Sequence, residues 1–174
     1  MARFDFGDGK GPVPADTHDN PDGTSGGWVA ATATVGEMAT VGPNARVFGH
    51  ARVTDDAEIL DYARVYDEAC VSGKARVWGD AQVRDRASVS GWACVSGNAV
   101  VCGDAVISEK ARLRQEAKVS GCAHISGETD ISGVAQVYGV AVVTGKVQIT
   151  DRARISGNAR LYGGTRIGGD ADIR

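Results

Sequence analysis

Large side chains are scarce in this 174-residue chain, where Phe, Trp and Tyr together make up 6% of the residues. A core with so few rings must be narrow and filled by small aliphatic groups, here mostly Ala and Val. No apolar run approaches the roughly 18 residues of a membrane-spanning helix. The start, Met1-Ala2-Arg3-Phe4-Asp5-Phe6, lacks the apolar stretch of a secretory leader. A cytoplasmic or virion-associated setting without membrane contact is therefore expected. Charge of one sign is not concentrated either: the formal charge is −3, with acidic and basic residues interspersed. That balance leaves no basic groove for nucleic acid. The four cysteines, Cys70, Cys94, Cys102 and Cys122, follow neither CxxC nor zinc-finger spacing and read as free thiols.

What the chain has instead is a six-residue phrase. It runs Ala45-Arg46-Val47-Phe48-Gly49-His50, then Ala51-Arg52-Val53-Thr54-Asp55-Asp56, and keeps its phase from Ala33 to Arg174. Residues 33–170 form 23 whole hexads and a partial one follows; the third position of every unit is Val, Ile or Leu. The first is Ala except at Thr129, Val147 and Thr165. A short fixed period marks a solenoid, whose units bury their apolar faces only against their neighbours. Within a unit, alternation of inward Ala and Val with outward variable residues is the pattern of a strand buried on one face. The fifth position is Gly in 14 of the 23 hexads and Asp in five, which predicts a corner after each strand. Strands this short need parallel partners in the coils on either side.

This pattern resembles the hexapeptide repeat of left-handed parallel β-helices, in which three hexads make one triangular coil. The phase Val-x-Gly-x-Ala-x is most similar to the Ala-Arg-Val-Tyr-Gly-Asn type of repeat in bacterial and phage-encoded members. The resemblance implies an all-β, left-handed parallel β-helix, a triangular solenoid of about eight coils spanning 28–174. Handedness comes from the resemblance alone.

With three hexads per coil, residues 18 apart stack. One outward column then reads Thr54, Ser72, Ser90, Ser108, Ser126, Thr144, an unbroken line of hydroxyls. Beside it stand Cys70, Ser88, Val106, His124 and Val142, ending at Arg52 and Arg160. The corresponding columns of the other faces mix types, as in Leu60, Trp78, Ser96, Arg114 and Phe48, Tyr66, Arg84, Cys102. Depletion of charge marks the core of protein interfaces, so these eleven residues are the candidate self-association face. Many relatives of the resembled type form parallel trimers through such walls, so a homotrimer is favoured.

The resemblance also carries an enzymatic alternative. Acyltransferase members place a histidine base at a subunit boundary, beside a loop inserted between coils. His124 alone occupies a flat face and would be that base, but no inserted loop breaks the repeat to shape a pocket. Carbonic-anhydrase-like members hold zinc with three histidines. Here His50 and His124 stand about four coils, on the order of 20 Å, apart, too far to share an ion. The reading is a structural or interaction solenoid with no catalytic residue, cofactor or metal.

Residues 1–27 differ in kind. Gly7-Asp8-Gly9-Lys10-Gly11-Pro12-Val13-Pro14 and Asp19-Asn20-Pro21-Asp22-Gly23-Thr24-Ser25-Gly26-Gly27 are polar, turn-rich and aperiodic. The run from Asp16 to Gly23 is rich in oxygen ligands but lacks the phase of a calcium loop. The segment reads as a cap or tether in which Phe4, Phe6 and Trp28 cover the first coil. A protein partner is expected, if anywhere else, at this segment or at the open last coil.

Overall fold

The computed structural model describes residues 2–174. Three strands come first, β1 (Ala2–Phe4), β2 (Val13–Asp19) and β3 (Ser25–Ala30). They are followed, one per hexad, by two-residue strands from β4 (Thr34–Val35) to β27 (Asp172–Ile173). Among the described residues there is no helix. The short strands form three parallel sheets in which Cα partners lie 18 residues apart, for example Val53↔Val71 and Val71↔Val89. The result is an all-β parallel solenoid of about eight turns.

Each hexad explains its own strand, corner and core contact. The first and third residues, such as Ala87 and Val89, are fully buried and join one continuous core that runs along the axis. The second and fourth positions send their N–H groups onward: Ser88 donates to the Ala105 carbonyl and Ser90 to the Ile107 carbonyl, both at 2.9 Å. From Gly49 onward the fifth residue turns the corner with positive φ, near +70° at Gly49, Gly91 and Gly103. At some corners glycine also answers a close approach of the next turn. A Cβ on Gly127 would stand 2.5 Å from the Gly145 nitrogen in the next turn.

Two departures from the hexad have a structural cause. Thr129 is fully buried in place of Ala, and its hydroxyl donates to the Ser126 carbonyl at 2.7 Å. Thr165, which is exposed, makes the same bond to the Tyr162 carbonyl at 3.0 Å. A buried hydroxyl is tolerated because the corner carbonyl three residues back accepts its proton. Val147 is also fully buried; nothing in the structure explains its replacement of Ala.

The N-terminal segment is more ordered than its aperiodic sequence suggests. β1, β2 and β3 form an antiparallel meander, and β3 then pairs in parallel with β6 (Arg46–Val47). Phe4 stacks on Trp28 at 4.6 Å, while Phe6, Phe48 and Tyr66 form a continuous ring stack at 4.8 Å spacing. Phe6, Ala15, Ala30 and Phe48 make a second small core under this meander. The strands escape the sequence pattern because a register shift between Thr17 and Asp19 breaks their alternation.

Candidate functional site

The eleven candidate residues stand on one wall. Its sheet runs from β4 to β25 (Arg160–Leu161). There Arg52, Cys70, Ser88, Val106, His124, Val142 and Arg160 are successive Cα partners. Thr54, Ser72, Ser90, Ser108, Ser126 and Thr144 follow these strands one residue after the buried aliphatic position. Their backbone N–H groups are tied to the next turn, at 2.9–3.0 Å. Ser126 Oγ donates to Thr144 Oγ1 at 2.9 Å, so part of the hydroxyl column is directly linked. His124 is exposed, Ser126 is buried and the other nine are half-buried.

The contrast with the other two walls gives this one its character. On the β6 wall the outward column is Arg46, Arg64, Gln82, Val100, Lys118, Gln136, Arg154, Asp172. On the third it is Thr40, Glu58, Arg76, Cys94, Arg112, Asp130, Gln148, Arg166. That third wall is laced by ion pairs, Arg76 with Glu58 at 2.7 Å and Arg114 with Asp130 at 2.6 Å. Arg76 also lies over the Trp78 ring at 5.4 Å. Such groups keep their hydration in the monomer and are costly to desolvate. The β4 wall has no Lys, Arg, Asp or Glu in either column between Arg52 and Arg160, so burying it removes water chiefly from methyl, thiol and hydroxyl groups.

The cysteines divide by depth. Cys70 is half-buried within the candidate wall and Cys122 is exposed at a corner. Cys102, which its place in the hexad puts outward, is instead buried. Burial pushes the Cys94 thiol up, against the pull of Arg76 and Arg112. A raised thiol is a poor nucleophile. Of the rings, Tyr66 donates its hydroxyl to Gln82 Oε1 at 3.0 Å, and burial raises its pKa. The aromatic stack is thus a structural seam joining the meander to the first turns.

Sequence reasoning missed the residues that close the first turn. The Asn20 amide donates to the Val41 carbonyl at 3.2 Å, and its oxygen accepts the Val41 N–H at 2.8 Å. His18 Nε2 lies 2.9 Å from the Ala39 carbonyl, to which it donates. Asn20 thereby imitates one peptide unit of an adjoining strand. Its only local signal is a turn-forming Asn-Pro pair, because the partner lies 21 residues away.

A family model described as the YdcK Beta solenoid repeat matches residues 153–170. The matched stretch is one register step of the solenoid and agrees with the repeat found throughout the chain. No curated protein matches the chain.

Proposed function

We propose that this protein is a non-catalytic structural or interaction element, a left-handed triangular β-helix with three hexads per coil. In this reading it associates with copies of itself through the β4 wall, most simply as a parallel trimer. The observation that carries the reading is the charge contrast. Five successive outward positions, from Cys70 to Val142, lack a formal charge on this wall, whereas ion pairs and arginines interrupt the other two. Interface cores are depleted of charge in the same way. Backbone bonds on both sides hold the columns rigid, so little conformational entropy is lost when two such walls meet. Arg52 and Arg160 stand where the rim of the contact would reach water. The likeness of the repeat to phage-encoded proteins supports a virion-associated or cytoplasmic role as a stiff spacer.

The test is absolute mass by light scattering over a hundredfold dilution. A trimer gives three times the 18.0 kDa chain mass, and Ser90→Arg should return it to the monomer while circular dichroism stays unchanged. A monomeric wild type, or a mass that Ser90→Arg leaves unaltered, would overturn the assignment.

A further inference from the structure

Alternate residues of a strand direct their N–H and C=O groups to opposite edges, so the first turn presents one set of groups toward the N-terminal end of the prism. Two of its three walls are closed there. β3 covers the β6 wall through the Trp28↔Arg46 and Val29↔Val47 pairs. Asn20 and His18 cover β5 (Thr40–Val41) by bonding Val41 and Ala39. On the remaining wall β4 is the last strand of its sheet and pairs only with β7 (Arg52–Val53). Thr34 and Gly36 donate toward β7, so Val35 N–H and C=O and the Ala33 carbonyl face the other way.

What they face is a recess of about 530 Å³ between β2 and the first turn. Val29, Ala33 and Val35 belong to its lining and pack against the main core, so its floor is continuous with the apolar interior. The lining includes the carboxylates of Asp16, Asp19 and Glu37 and contains no Lys or Arg. Asp19 and Glu37 are exposed. An open strand edge, an apolar floor and acidic walls thus share one groove.

We propose that this groove receives an extended basic peptide, which adds a strand to β4. Its backbone pairs with Val35 and Ala33, an aliphatic side chain covers Val29 and Val35, and its Arg or Lys residues meet Asp19 and Glu37. Strand addition draws affinity from main-chain bonds and specificity from alternate side chains, and an unpaired edge is a ready template for it. The site is separate from the self-association wall and does not depend on it.

The probe is a fluorescein-labelled peptide alternating valine with arginine, titrated against the full chain by fluorescence anisotropy. An acidic twin and a backbone N-methylated version serve as comparisons. The basic peptide should bind, weaken with added salt, and slow amide exchange at Val35. The acidic twin, the methylated peptide, and the Asp19→Lys/Glu37→Lys variant should each lower affinity about tenfold or more. Because both substituted positions are exposed, the variant should keep its fold by circular dichroism. Equal binding of the acidic or methylated peptide, or unchanged exchange at Val35, would overturn the proposal. So would protection of Val35 that tracks protein concentration without peptide, which would mean a second copy fills the groove. Repeating the titration in Ser90→Arg separates this result from the fate of the self-association wall.

Discussion

Asp85 Oδ2 accepts a hydrogen bond from the Gly103 N–H at 2.8 Å, one register step along the solenoid. The relationship is general. Asp55 binds Gly73, Asp61 binds Gly79, Glu109 binds Gly127, Gln115 binds Gly133 and Asp151 binds Gly169. Asp67 reaches Asp85 at a longer 3.4 Å. These seven acceptors are also the non-glycine residues with positive φ, between 54° and 61°. The corner N–H lies outside the sheet ladder, and a side chain one turn earlier supplies its acceptor. The unfavourable backbone conformation is thereby offset.

Replacing Asp85 separates the two contributions. Asp85→Ala keeps the strained φ and loses the bond, and should destabilise by about 1 kcal/mol. Asp85→Gly loses the bond but relieves the strain, and should stay within about 0.5 kcal/mol of wild type. Urea unfolding monitored by circular dichroism checks the order; an alanine variant as stable as the glycine one would contradict it.

Stacking of corners makes glycine positions unequal. Gly127 and Gly163 share a φ of +73° and +74°, but only at Gly127 would a Cβ meet the next turn; around Gly163 nothing lies within 4 Å. Gly163→Ala should cost about 1 kcal/mol for its backbone conformation alone. Gly127→Ala should cost roughly 1–3 kcal/mol more, as overpacked sites do. Parallel denaturation curves measure the difference, and equal costs would refute the stacking argument.

Asn20 closes the β5 edge, so Asn20→Ala leaves the Val41 N–H and carbonyl without their partner. A loss of about 2 kcal/mol is expected, together with faster amide exchange at Val41. If exchange at Val41 is unchanged while stability falls, the amide acts only by filling space.

Acid should loosen the last turns. Gly169 N–H and the Thr150 hydroxyl hold the Asp151 carboxyl below its ordinary value of 3.8. Arg152 does the same for Asp170, first by hydrogen bonding and then by charge. A carboxylate lowered in the folded state adds stability that is complete above the unfolded value. That stability is lost as pH falls through the lower, folded one. Thermal melts should therefore show the advantage of wild type over Asp151→Asn at neutral pH and its disappearance below pH 3.8. A gap that persists in acid would assign the effect to shape.

Much of this was legible in the residues. The alternation at Ala87 and Val89 marks a buried pair, and the hydroxyl column from Thr54 to Thr144 marks one wall. The aspartates of the fifth position were legible only as corner residues bonding nearby backbone. Asp85 in fact bonds an N–H that lies 18 residues away in sequence. Cys102 holds an outward position of its hexad and is nonetheless buried, which the six-residue pattern does not announce.

The amino-acid order is enough to set the repeating strand, the inward Ala and Val and the corners, through a period of six residues, and the uncharged column, through the stacking of residues 18 apart. Tertiary structure alone decided how the first turn is closed, which wall keeps an open edge, and which carboxylates pair. Those outcomes depend on groups brought together from distant positions: Asn20 with Val41, Arg114 with Asp130, and β3 with β6. Local periodicity sets the strand, corner and inward face of every hexad. It carries no record of how an aperiodic segment meets the end of the stack, because there the contacts are made once and have no repeat to announce them.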